Sequence, residues 1–279
     1  MAIQLHPLPR REAITVIKEI ATEGHSPLLV IGDDYANYYV KSCKRIPDFT
    51  IISEFLCHYL LQCWQIATPE ACVMRIPQER LIQGLSRNNR TGNFEWLCFG
   101  SLQIENAVDG QAFLSVESKA ALKNIFNPEA IFYLALFDIW VENDDRKPTN
   151  NNLLLANSEK GARIIAIDNS YTFSTMDYRH LDPAFISSSY NDSILLSDIG
   201  AGIVKNSTID ASWYKQVENN FYLYIERCKD HFNEIVNFIP AELGFSKELQ
   251  QFIYSFLFND KRNSSVFEEF VSRMKNLQK

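Results

Sequence analysis

The sequence predicts an α+β fold in two lobes, a small antiparallel β-rich lobe carrying one helix followed by a mainly helical lobe. Three observations predict it. Residues 13–41 hold three short β-prone runs separated by two tight turns. Residues 50–65 then show helical spacing, and after residue 118 helix-opening signals recur to the end of the chain. The 279 residues, 46% of them hydrophobic, suffice to bury about three quarters of the unfolded surface. One two-lobed domain or two small domains both fit, with the division near residue 105.

Residues 1–12, with two prolines and little pattern, read as an arm. Strands are expected at Ala13 to Ile20, Leu28 to Ile31 and Asn37 to Lys41, with turns at Thr22 to Pro27 and Gly32 to Asp34, making an antiparallel meander. In Thr50 to Gln65, residues Ile52, Phe55, Leu56, Tyr59, Leu60 and Cys63 share one face, and Glu54 stands in the first turn. His58 reads as helix surface or packing. A strand follows at Cys72 to Ile76, a polar exposed insertion at Pro77 to Asn93 with its tip at Arg87 to Gly92, and a strand at Trp96 to Leu102.

Ser118 to Phe126 starts on an N-cap serine. Asn127, Pro128 and Glu129 supply a cap, a first-position proline and a first-turn acid for Ala130 to Val141, apolar nearly all round and so expected to be buried. Asp138 near its end reads as a structural acid bonding loop backbone. Met176 to Thr208 is polar and suits either an activation-type segment, a substrate shelf or ordinary loop. Trp213 to Phe238 is a long amphipathic helix with a candidate break near Asp230. Ser246 to Phe258 and Ser264 to Leu277 complete the helical scaffold, the last opening close to a capping box with Glu268.

The chemistry concentrates in residues 138–170. A polar cluster precedes Leu153 to Leu155, a turn runs through Ser158 to Gly161, and Ile164 to Ile167 ends on Asp168. Pairing of the two apolar runs brings Asp145, the asparagines before Leu153 and Asp168 to one end of a hairpin. Two acids and an amide there suit phosphoryl transfer. One acid orients the attacking hydroxyl, while the amide oxygen and the other acid hold magnesium against nucleotide phosphates.

The strings WVENDDRKPTNNNLLL and IAIDNSYTF resemble the core of HipA-like kinases and, more remotely, of phosphoinositide kinases. The resemblance implies a protein-kinase-like fold, ATP and Mg2+ as cofactors, and a protein serine or threonine as acceptor. It places the base on Asp145, the acid followed by Arg146, and metal ligands on Asp168 and on Asn150 or Asn152. Spacing from Asp145 favours Asn150, and the position before the strand favours Asn152. Lys147 departs from the pattern, where histidine is common, as do Asn169 and Ser170 after the second acid. The resemblance further implies that Lys41 grips the α- and β-phosphates with Glu54 as its ion-pair partner. Gly24 and Ser26 in the first turn would cover the phosphates, although that turn is not G-x-G-x-x-G. The hinge meeting adenine would fall at Ser101 to Asn106, including Gln103 and Glu105.

A net charge of -7 without a long basic cluster argues against nucleic acid as a partner. Six scattered cysteines with no C-x-x-C pair read as buried thiols of a reducing compartment. No leader-like apolar segment is visible at the start, and the longest apolar run, Ala130 to Val141, is too short for a bilayer. The expectation is a cytoplasmic protein that binds nucleotide and a protein substrate, and that has room for a regulatory, antitoxin-like partner. A calcium loop at Asp144 is excluded by Lys147 and Pro148, and a G-x-S-x-G hydrolase elbow is absent. The alternative is a pseudokinase, a nucleotide-binding regulatory module acting through a protein partner.

Overall fold

The structure, a computed structural model, describes residues 3–20, 26–43, 45–84, 97–116, 119–175 and 177–278. It is a mixed α/β fold in which five strands close a barrel and a separate three-stranded sheet carries the acidic hairpin. Around the barrel the order is β1 (Arg10–Glu19), β2 (Leu28–Gly32), β3 (Asn37–Lys41), β5 (Cys98–Leu102) and β4 (Ala71–Arg75). The meander β1 to β3 forms as expected. Two features correct the expectation of an antiparallel unit with one helix. The barrel is closed by a parallel pair, Arg10 to Glu12 of β1 against Val73 to Arg75 of β4. The end of the expected arm is therefore strand. A second helix, α2 (Gln78–Gly84), opens the stretch read as an exposed insertion, whose tip at residues 87–92 lies outside the described residues.

α1 (Phe49–Cys63) is capped by Asp48, whose carboxylate accepts from Thr50 N at 3.1 Å. It is not the one-faced helix its spacing suggests, because every residue from Ile51 to Leu61 is buried. One side meets the barrel, where Phe55 lies edge-on to Phe99 with ring centroids 5.0 Å apart. Another meets α6 (Ala211–Phe238), where Tyr59 lies 5.5 Å from Phe238. His58 is thereby core, and burial pushes its imidazole down to about 4.

The second sheet joins β6 (Ala107–Asp109), β7 (Leu153–Ser158) and β8 (Gly161–Ala166). Leu153 pairs with Ala166 and Leu155 with Ile164, as the two apolar runs require. Between β6 and β7 lie α3 (Gly110–Val116), a 3-10 segment at Lys119–Asn124 in place of the expected helix, and α4 (Ala130–Val141). The Asn127 side chain accepts from Ile164 N at 3.0 Å, so it ties down β8 instead of capping α4. The polar segment after residue 176 is a chain of short 3-10 turns leading into α5 (Asp198–Asn206). α6 runs unbroken through Asp230 for 28 residues. α7 (Lys247–Leu257) has the expected Ser246 cap, whereas α8 (Asp260–Leu277) starts earlier than expected, on Asn259. The six cysteines are buried, and none is in a disulfide. Among the described residues no helix is long and apolar enough to cross a membrane.

Candidate active site

Three distant segments meet at the Lys41 ammonium. Lys41 ends β3 and enters a cleft of about 260 Å3 whose wall includes Pro27, Tyr39, Glu54, Gln103, Leu154 and Asp168. Its Nζ lies 2.6 Å from Glu54 Oε1 and 2.5 Å from Asp168 Oδ1. Burial disfavours the charge, but the carboxylates of Asp168 and Glu54 more than offset this and raise the Lys41 pKa. The other Glu54 oxygen accepts from Asn169 N at 3.1 Å, so one α1 side chain grips both β3 and the loop after β8.

The loop 142–152 supplies the second cluster. Asn152 Nδ2 donates to Asp145 Oδ2 at 2.9 Å, and Asn150 Nδ2 donates to the Asp145 carbonyl at 3.3 Å. Asn143 Oδ1 accepts from the N–H groups of Asp145 (3.1 Å) and Arg146 (3.3 Å), an Asx turn that fixes the backbone under the acid. Asn152 and Asp168 both hold left-handed backbone, at φ 45° and 55°, which Asn and Asp tolerate best among residues with a Cβ. Asp144 is adjacent, its carboxyl pushed up to about 6 by desolvation first and then by Glu142 and Asp192.

Arg146 joins the two clusters. Its guanidinium pairs with Asp138 and donates to Ile167 O at 2.8 Å and to Asn169 Oδ1 at 3.0 Å. Ile167 N donates in turn to Asn152 O at 3.1 Å. Asp138 therefore serves side chains, Arg146 and Asn143, and not loop backbone as expected. Nothing local in the sequence marks Arg146, Asn143 and Asn169 as members of this network. Polar residues in a loop carry no periodicity that would single them out.

The residues expected on the nucleotide side divide. Gln103 lines the cleft, its N–H held by Asn37 O at 2.8 Å. Glu105 is exposed on the turn beyond, off the cleft wall. Ser26 takes left-handed backbone at φ 41° beside Pro27, and Gly24 lies outside the described residues. Among the described residues no group of three or more His, Cys, Asp or Glu is assembled for a metal. The donors expected from the sequence are one carboxylate, Asp168, and the amide oxygen of Asn152 or Asn150. That set suits magnesium, which takes one or two carboxylates and completes its shell with water and phosphate oxygens.

A protein-family model described as HipA-like kinase matches residues 13–264. No curated protein matches the chain. A solved structure of the Helicobacter pylori proinflammatory kinase CtkA is similar over 97% of this chain and 100% of its own, with a TM-score of 0.50 and 16% identity, a likeness of fold. An apo pseudokinase structure covers 98% of both chains at 11% identity, with a TM-score of 0.34.

Proposed function

The chain belongs to the HipA-like kinase family, and from that premise we propose that it is an ATP- and magnesium-dependent phosphotransferase acting on serine or threonine hydroxyls of a protein in the cytoplasm. The observation that carries the reading is the Lys41 ammonium held between Glu54 and Asp168 at 2.6 and 2.5 Å, on the wall of the cleft that Gln103 also lines. Residues 1–105 form the nucleotide-binding lobe in this reading and residues 106–279 the catalytic lobe.

Lys41 binds the α- and β-phosphates, with Glu54 holding it in place. Asp145 orients the acceptor hydroxyl and takes its proton as the acceptor oxygen bonds to the γ-phosphorus and the bond to the β-phosphate oxygen breaks. Asn152 keeps the Asp145 carboxylate directed, through the 2.9 Å bond to Oδ2. Asp168, with the side-chain oxygen of Asn152 or Asn150, would hold magnesium, which would neutralise phosphate charge. Asp145→Ala is expected to slow phosphoryl transfer about 10²–10⁴-fold, the range for a lost general base. Its affinity for Mg·ADP should stay within about threefold of wild type, since Asp145 contacts the acceptor and not the nucleotide. Transfer to protein measured with labelled ATP decides the matter. Unchanged turnover removes Asp145 from the mechanism, and nucleotide binding by wild type with no transfer to any protein leaves a regulatory binding module.

A further inference from the structure

An ammonium has three N–H donors on a flexible stem, so a single partner leaves its rotation open. Lys41 has three partners, and the third is a residue with no role in the reading above. It donates to Ser170 Oγ at 3.1 Å, and Ser170 Oγ donates to Glu54 Oε1 at 2.8 Å. Glu54 meets Lys41 through Oε1, while its Oε2 accepts from Asn169 N. Ser170 is 1% exposed, and its own N–H leans on Asp168 Oδ1 at 3.4 Å. Its hydroxyl is thus held from two sides, by Lys41 Nζ and Glu54 Oε1, while its backbone rests on Asp168.

We propose that Ser170 is a positioning residue for Lys41. Together with Glu54 it occupies two of the three ammonium donors and so fixes the direction of the third. In the structure Asp168 takes that third donor. With Asp168 engaged by magnesium, a nucleotide phosphate oxygen would take its place on a donor already aimed. The inference rests on the phosphotransferase reading, since it concerns what Lys41 presents to phosphates. Without the hydroxyl, Lys41 hangs from Glu54 Oε1 alone, and Glu54 loses a donor at a buried site.

The test is calorimetric titration of Mg·ADP into the full chain as wild type, Ser170→Ala, Lys41→Met and the double variant, with steady-state kinetics alongside. Ser170→Ala should weaken Mg·ADP about tenfold, the scale of one hydrogen bond to a charged group. KM for ATP should rise by a similar factor while kcat stays within about threefold. In the Lys41→Met background the same alanine should change affinity by less than about twofold, because the group it acts through is gone. A merely structural role would weaken binding equally in both backgrounds, and that result overturns the proposal. Equal affinity of wild type and Ser170→Ala overturns it too. Ser170→Gly removes the same hydroxyl and carries the same expectations if the alanine chain does not fold. Failure of wild type to bind Mg·ADP strikes the phosphotransferase reading itself, whereas tight wild-type binding with no Ser170 effect sinks this inference alone.

Discussion

Asp138 shows how a buried charge can serve geometry and still leave a signature in solution. It is 7% exposed, near the end of α4, and its Oδ1 takes both the Arg146 guanidinium and the Asn143 amide. Burial raises its carboxyl and the Arg146 pairing lowers it, and burial wins, leaving it pushed up to about 6. The unfolded carboxyl releases its proton near pH 4, while the folded one keeps it until about pH 6. The folded state therefore binds more protons in that window, and stability must fall as pH rises from about 4 to about 6. From this group alone the loss is on the order of 3 kcal/mol, complete above about pH 6. Asp138→Asn cannot titrate. Its overall stability is lower because Arg146 keeps its charge without a counterion, yet the part of the pH slope that belongs to Asp138 should vanish. Urea midpoints of both chains at pH 4.5 and 7.5 measure this. The same loss of stability in both chains across that interval would show that Asp138 is ionised in the fold at pH 4.5.

At the scale of single elements, the hairpin of β7 and β8 depends on one backbone position. Gly161 sits at φ 114°, and a Cβ there would run into the Asn124 carbonyl oxygen. Gly161→Ala should cost about 1–3 kcal/mol in backbone strain before that clash is counted, read as a lowered thermal midpoint. A midpoint equal to wild type would mean that the turn adopts another conformation. This hairpin was legible in the sequence because its determinants are local: two apolar runs, a short turn and a glycine that tolerates positive φ. Lys41 and Glu54, 13 residues apart, were readable as a pair only through the family resemblance, and the structure puts them 2.6 Å apart. Long-range determinants were not legible. Closure of the barrel needs Arg10 to find Val73 across more than sixty residues, and nothing local in either strand announces a parallel partner. Ser264 and Ser265 resemble a helix start, but they lie inside α8 because Asn259 caps it a turn earlier. Ser170 carries no local signal of its role for a related reason. Its hydroxyl acquires a role only when β3 and α1 arrive beside it.

At the scale of the whole molecule, the division near residue 105 follows the chain more closely than it follows the core. The barrel interior is a small cluster of its own, built on Ala13, Val30, Val40, Cys72, Met74 and Cys98. The outer face of the barrel, with Val73 and Phe99, belongs to a larger cluster that takes in α1 and runs on through α4, α6, α7 and α8. Trp64, at the end of α1, makes the point sharply. It is 1% exposed, and its ring contacts are Phe137, Trp140, Phe221 and Tyr224, all beyond residue 105. A cut at 105 would strip α1 of one packed side and expose Tyr59, Leu60, Cys63 and Trp64 together. Fully burying a side chain of that size is worth about 1.5–3 kcal/mol, so several such losses exceed the stability margin of a small domain. Residues 1–105 alone are therefore expected to lack a cooperative urea transition by circular dichroism, while the full chain unfolds with α1 and the helices around it as one unit. A sharp transition in the fragment would show that the barrel and α1 hold together without the helices that bury Trp64, and the two parts of the chain would then be separate folding domains joined at the cleft.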